Sequence, residues 1–354
     1  MMIVTRNQGG VEEEKPVRIY STCPQSKDIE SSRYLQAVAD VSRWSEAAGC
    51  EGILVYTDNG IVDPWLVSQV VLENTQRLKP LVAIQPVYMH PFSAAKMVAS
   101  LAFIYGRSMV LNMLAGGFKN DLLALGDETP HDERYERTVE YTQILMGLLR
   151  GGAPVTVGGR YYRVTNLRMM PAIPPELVPE VLISGSSPAG AAAARALGAT
   201  AVKYPKPPGE EEDWISGDDV SGSFGVRVGI IARRNADEAW RIAHDRFPED
   251  RHGQITHRVA IAVSDSHWHK QLSEHRDEAA DPMDDEPDPY WLGPFQNYKT
   301  FCPYLVGSYD RVGQLLAHYV AVGSRTFILD IPASEEELEH IGIVFDRAQQ
   351  QANA

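Results

Sequence analysis

Short runs of uninterrupted apolar residues alternate with longer stretches of helical periodicity along most of the chain. After a polar, Gly/Glu-rich stretch that we expect to be a flexible arm over residues 1–16, Val17-Arg18-Ile19-Tyr20 reads as a first strand. The loop that follows ends in Ser31-Ser32, a candidate helix cap. Leu35, Val38 and Val41 then share one helical face, and Gly49 sits where a left-handed cap is wanted. Ile53-Leu54-Val55-Tyr56 is apolar without alternation, as in strands covered on both faces of a parallel sheet. The order repeats: Asp63-Pro64 opens a helix, Leu81 to Ile84 is a strand, and Pro91 opens a third helix with Ala94, Met97, Val98 and Leu101 at helical spacing. Met109-Val110-Leu111 is a fourth strand, followed by a long amphipathic helix from Glu133 to Leu149.

The second half is less regular. Val155-Thr156-Val157 and Tyr161-Tyr162-Arg163 flank two glycines and predict a small hairpin, followed by a proline-rich surface passage over Pro171 to Pro179. Val181-Leu182-Ile183 is a fifth strand, running into Gly185-Ser186-Ser187-Pro188 and an alanine-rich helix ending at Gly198. Thr200 to Val202, Phe224 to Ile231 and Phe327 to Leu329 complete eight strands, and Asn235/Glu238 and Ser334/Glu337 have the spacing of capping boxes. Eight strands alternating with helices predict a (β/α)8 TIM barrel with insertions, one domain over residues 17–350; a doubly wound open sheet is the alternative. Residues 251–304, with the run from Asp281 to Pro289, break the series and are expected to be a mobile insertion after the seventh strand.

Composition narrows the function classes. The net charge of −14 and the absence of a Lys/Arg-rich run argue against nucleic acid as a partner. Cys23, Cys50 and Cys302 lack CxxC spacing, there is no signal-peptide core and no apolar stretch of spanning length, so we expect a cytoplasmic protein without a membrane segment. His267, His269 and His275 come without a carboxylate ligand motif, and no metal is expected. GxGxxG, P-loop and GxSxG patterns are missing.

Four places could carry chemistry. At Gly185-Ser186-Ser187 a buried strand turns directly into a helix, whose free amides and dipole suit an anion; the alternative is an ordinary serine cap. Asn112, closing the fourth strand before Leu114 and Gly116-Gly117, could reach a planar heterocycle or make a local backbone bond. His131 and Tyr135, four apart at the head of the longest helix, project together. Arg227, inside an apolar strand, needs either an anion or a structural ion-pair partner. Tyr20, Tyr56, Tyr88 and Tyr204 are candidates for an aromatic lining.

These pieces, in this order, resemble the bacterial luciferase-like flavin monooxygenases, in particular the branch containing alkanesulfonate monooxygenase. The best-matched stretches are Asp63 to Val67, Gln76 to Ala83, Glu133 to Glu136, Gly185 to Ser187, Phe224 to Arg227 and Arg233 to Trp240. The resemblance implies a barrel that binds reduced flavin mononucleotide at the strands' carboxyl ends, supplied by a separate NAD(P)H:flavin reductase, in a homodimer or homotetramer. It implies oxygen insertion into a small organic substrate through a flavin peroxide. By position, Asn112 and Leu114 would contact the flavin edge, His131 and Tyr135 its ribityl and phosphate region, and Gly185, Ser186 and Ser187 the phosphate.

The chain departs from the sulfonate pattern where substrate chemistry is set. A cysteine after the second strand is replaced by Val62, a histidine after the strand-seven arginine by Gly229, and a tyrosine after strand eight by Ile331 or Pro332. Arg227 is kept, and Tyr298-Lys299 stands where an arginine is expected, which makes Arg227, Tyr298 and Lys299 the candidate catalytic set and a simple alkanesulfonate an unsuitable substrate. The alternatives are a deazaflavin-dependent hydride-transfer enzyme, a non-catalytic flavin-binding protein and a barrel lyase using the serine turn for a substrate phosphate.

Overall fold

The structure, a computed structural model, describes residues 17–207, 224–262 and 286–352. The histidine run at 267–275 and residues 281–285 of the proline-rich stretch lie outside them. Eight strands close a parallel barrel: β1 (Arg18–Thr22), β2 (Gly52–Val55), β3 (Lys79–Ile84), β4 (Val110–Leu114), β7 (Glu180–Ser184), β8 (Thr200–Lys203), β9 (Phe224–Arg233) and β12 (Ser324–Leu329). Each pairs with the next, β9 pairs with both β8 and β12, and β12 returns to β1. The (β/α)8 expectation is met, and the open sheet is excluded by that closure.

Local sequence explains most helix starts. Asp63 accepts a hydrogen bond from the Trp65 amide at 2.9 Å, with Pro64 at the first position of α2 (Pro64–Asn74). His90 and Pro91 play these parts at α3 (Pro91–Tyr105), whose Ala94, Val98 and Leu101 are buried. Asn235 caps α7 (Ala236–Arg246) through the amides of Asp237 and Glu238, and Ser334 accepts from Glu337 N at α11 (Glu335–Ala352). Between them lie α4 (Lys119–Ala124), α5 (His131–Arg150) and α6 (Pro188–Leu197).

Several expectations need correction. Ser31 is already helical in α1 (Ser31–Ala47), whose cap is Glu30 without a side-chain bond, and Leu35 faces outwards at 64% exposure while Val38 and Val41 are buried. The hairpin strands are β5 (Val155–Gly158) and β6 (Arg163–Leu167), so Tyr161 and Tyr162 belong to the turn. The strand-seven run extends to Arg233 because its second half, from Gly229, pairs in parallel with β11 (Tyr304–Ser308). Tyr304 therefore belongs to the sheet, and α10 (Tyr309–Ala321) follows it. Described parts of the 251–304 stretch carry α8 (Arg251–Ala262), β10 (Tyr290–Trp291) and α9 (Gly293–Gln296). Among the described residues no helix is long and apolar enough to cross a membrane.

Inside the barrel, Tyr20, Leu54, Leu81, Ala83, Val110, Leu182, Val202 and Ile328 form one buried cluster contributed by seven of the strands. Tight packing reaches the backbone at Gly52, where a Cβ would stand 2.3 Å from the Lys79 carbonyl oxygen and 2.9 Å from the Tyr20 ring. Neither the sheet backbone nor a fully buried ring can give way cheaply. Gly52→Ala is therefore expected to lower unfolding free energy by about 2 kcal/mol or more, read as a reduced urea midpoint.

Candidate active site

The cluster's upper members, Leu54, Ala83, Val202 and Ile328, floor a cleft of about 1040 Å³, open to solvent, at the carboxyl ends of the strands. Asn112, Leu114, His131, Tyr135, Gly185, Ser186, Ser187 and Arg227 all line it, although they come from four separate stretches of sequence. Tyr56 and Tyr204 line it as well, while Tyr88 lines an adjoining cavity and Tyr20 is buried in the barrel interior.

One wall is the turn from β7 into α6. Ser187 caps α6, its Oγ accepting from Gly190 N at 3.1 Å. Ser186 points a buried Oγ at no partner within the protein. A Cβ on Gly185 would stand 2.1 Å from Tyr135 Oη, so only glycine lets the turn lie against this phenol. Burial pushes the Tyr135 phenol up against the opposing effect of its hydrogen bond with Ser187, which keeps it protonated at neutral pH. His131 stacks edge-on to Tyr135 at 5.3 Å, and its Nδ1 lies 2.6 Å from Asp132 Oδ1. The loop before α5 is pinned by Asp127, which binds Arg137 at 2.6 Å and Thr129 through both amide and hydroxyl. Burial alone would raise the Asp127 carboxyl, but these bonds overcome it and hold the group below its ordinary range.

On the floor, Ser184 Oγ donates to Asn112 Oδ1 at 2.8 Å, which leaves the Asn112 amide nitrogen as a donor for the cleft. Gly116, at φ 92°, takes a left-handed turn after β4 where Leu122 and Gln85 crowd the Cβ position. On β9, Arg227 is only 9% exposed, its guanidinium 4.8 Å from the Tyr56 ring and 3.8 Å from Asp330 Oδ1. That separation is an ion pair without a hydrogen bond, and Arg227 Nε and Nη2 have no acceptor in the protein.

An anion-ready turn, a hydrogen-bonded Asn112–Ser184 pair and a buried cation share one cleft at the barrel mouth, and residues 16–326 match the family described as Luciferase-like monooxygenase. The chain belongs to the luciferase-like monooxygenases. From Niallia circulans, the 4-(gamma-L-glutamylamino)butanoyl-(BtrI acyl-carrier protein) monooxygenase BtrO is 33% identical over 315 residues, 88% of this chain and 91% of the relative. Two solved structures share the fold at lower identity. The oxygenating constituent of 3,6-diketocamphane monooxygenase from Pseudomonas putida, in complex with FMN, has a TM-score of 0.65 at 15% identity, covering 92% of this chain and 96% of that one. An F420-dependent secondary alcohol dehydrogenase has a TM-score of 0.62 at 14% identity, covering 96% and 99%.

In this luciferase-like monooxygenase, residues matched by position to the sulfonate branch separate into two groups. Arg227 is in the cleft. Lys299 is not among the cleft's lining residues: it is exposed and binds Asp250 at 2.6 Å, and its neighbour Tyr298, at φ 56°, packs its ring against His257 and Phe301. Val62 is also exposed and outside the cleft, its amide donating to Ser26 Oγ. Gly229 is explained by Tyr304, whose ring would lie 2.3 Å from a Cβ there. The Tyr304 hydroxyl donates to Asp330 Oδ2 at 2.9 Å, and Thr300 Oγ1 donates to the same oxygen at 2.5 Å. Sequence reasoning missed Tyr304, Thr300 and Asp330; the only signal was a charged residue directly after the apolar run Phe327-Ile328-Leu329.

Lys299 and Asp250 staple the two ends of the 251–304 stretch, and Asp250 Oδ1 also accepts from Gly253 N in the first turn of α8. The Lys299 hydrogen bond foremost, with that amide, lowers the Asp250 carboxyl to about 2. A depressed carboxyl stabilises the fold fully above its unfolded pKa of about 4 and loses that contribution as pH falls through the folded value. Relative to the intrinsic exchange rate at each pH, protection of the first-turn amides of α8 should fall over that acidic window, and Asp250→Asn should show low protection throughout.

Proposed function

We propose that this chain is a reduced-flavin-dependent monooxygenase that takes FMN from a separate NAD(P)H:flavin reductase and oxygenates an acyl group presented on a carrier protein. The observation that carries the cofactor reading is the serine turn: a buried Ser186 hydroxyl without a partner, a glycine pressed against Tyr135 and a helix amino terminus, all facing the same cleft. A phosphate monoester fits that donor set, because the helix dipole and unpaired amides favour negative charge there. The carrier-bound acyl group is supported by the 33% identical relative, which spans 88% of this chain and acts on a carrier-bound acyl substrate. The replaced sulfonate-branch position Gly229, two residues beyond Arg227 on β9, fits a change of acceptor.

When bound, reduced FMN supplies two electrons and activates dioxygen. The protein's residues do the rest by placement. Gly185, Ser186 and Ser187 hold the phosphate, with Tyr135 as a neutral phenol and His131 beside them. Asn112, fixed through Oδ1 by Ser184, offers its amide to the polar edge of the ring system, next to Leu114. Leu54, Ala83, Val202 and Ile328 give the cleft an apolar floor that would limit water beside a bound flavin. Arg227 would set a fixed positive charge in the cleft, able to stabilise negative charge that develops on oxygen.

Anaerobic titration with reduced FMN, followed by flavin fluorescence, tests the cofactor assignment. Ser186→Ala removes an orphaned hydroxyl, so the folded stability should hold or rise slightly, while the Kd for reduced FMN rises about tenfold, or about 1.4 kcal/mol. Unaltered affinity would remove the turn from the site. Supplied with reductase, FMN and acyl-carrier substrates, the protein should place one atom of labelled dioxygen in the product. Product formed without oxygen in the presence of F420 would instead establish hydride transfer.

A further inference from the structure

Arg227 stands in the cleft with two of its nitrogens unused, and the residues behind it explain how a buried cation keeps that orientation. Nε and Nη2, the atoms without an acceptor, form the side-on fork of the guanidinium, the edge that binds a planar two-oxygen group or a pair of acceptors. The side chain is held by two neighbours. The Tyr56 ring lies 4.8 Å from its central carbon, and Asp330 Oδ1 lies 3.8 Å from Nη2, with both members of that ion pair 11% exposed. Asp330 does not move freely towards the arginine, because its second oxygen is held by Thr300 Oγ1 at 2.5 Å and Tyr304 Oη at 2.9 Å, and its own amide bonds to Val228 O at 3.2 Å. The carboxylate is thus close enough to offset the buried charge and too well bound elsewhere to satisfy the fork.

Building on the place given to Arg227 above, we infer that Asp330 is a positioning residue: anchored by Thr300 and Tyr304, it holds the Arg227 guanidinium in the wall of the cleft. Gly229 is part of this arrangement, since a side chain there would strike the Tyr304 ring and dislodge the hydroxyl that fixes Asp330. Thr300 and Tyr304 close the 251–304 stretch, so the end of that stretch supports the cation through Asp330.

Phenylglyoxal labelling of the full-length protein, with Arg227 quantified by peptide mapping, tests this without substrate. A guanidinium held against the cleft wall by Asp330 and the Tyr56 ring is reached slowly by the reagent, and one released from Asp330 is reached faster. Asp330→Asn is expected to label several-fold faster, Tyr304→Phe and Thr300→Val to fall between, and Asp330→Glu to restore slow labelling. A second reading comes from mixing the reduced-FMN complex with oxygen. Asp330→Asn should bind reduced FMN as the parent does and shift the reoxidation rate in the direction of Arg227→Ala, with no further shift in the double variant. Unchanged Arg227 labelling in folded Asp330→Asn overturns the inference. Should that variant fail to fold, equal labelling in Tyr304→Phe, Thr300→Val and the parent overturns it. If Arg227→Ala reoxidises flavin like the parent, the functional role of Arg227 fails, and the labelling still decides whether Asp330 positions it.

Discussion

The pairing of β9 with β8 on one edge and β12 on the other is the constraint on which the rest of the molecule depends. Closure gives each of the eight barrel strands two neighbours and leaves no open edge among them. It also makes every barrel strand run the same way, so all eight carboxyl ends meet at one mouth. Residues as distant in sequence as Tyr56, Asn112, Ser186, Arg227 and Asp330 come within one side-chain shell for that reason alone.

Within that mouth the protein tolerates what a core would reject. Ser186 Oγ and two nitrogens of Arg227 are withdrawn from water without a partner, and each such group costs on the order of 1–3 kcal/mol when left unsatisfied. The surrounding packing holds them in place: Tyr135 presses on the glycine of the serine turn, and Tyr56 and Asp330 bracket the guanidinium. Groups fixed in this way need little rearrangement when a ligand arrives, which is the condition for strong electrostatic stabilisation in an active site.

β9 carries two functions along one strand. Its first half belongs to the barrel and places Arg227 opposite Ile328, while its second half, from Gly229, pairs with β11. A glycine at the changeover lets the Tyr304 ring lie flat on the strand, and the tyrosine hydroxyl reaches Asp330. Relative to the sulfonate pattern, the loss of a side chain at 229 coincides with polar support arriving from the neighbouring strand.

Periodicity, apolar runs and caps are local properties, and they determined the alternation of strands and helices, the barrel, and the starts of α2, α3, α7 and α11, where Asp63, His90, Asn235 and Ser334 bond the amides just ahead of them. The serine turn, Asn112, His131, Tyr135 and Arg227 were also legible, because a polar or small residue next to a buried strand is out of place unless something at the strand's end needs it. Tertiary structure alone decided that Lys299 pairs with Asp250 rather than entering the cleft, that Leu35 faces outwards, and that Tyr304, Thr300 and Asp330 form the support behind Arg227. Those outcomes depend on which surfaces meet across 30 to 50 residues of intervening chain, as from Thr300 to Asp330 and from Asp250 to Lys299. Spacing along a chain fixes the direction in which a side chain leaves its own element, and only the closed sheet fixes what it meets there.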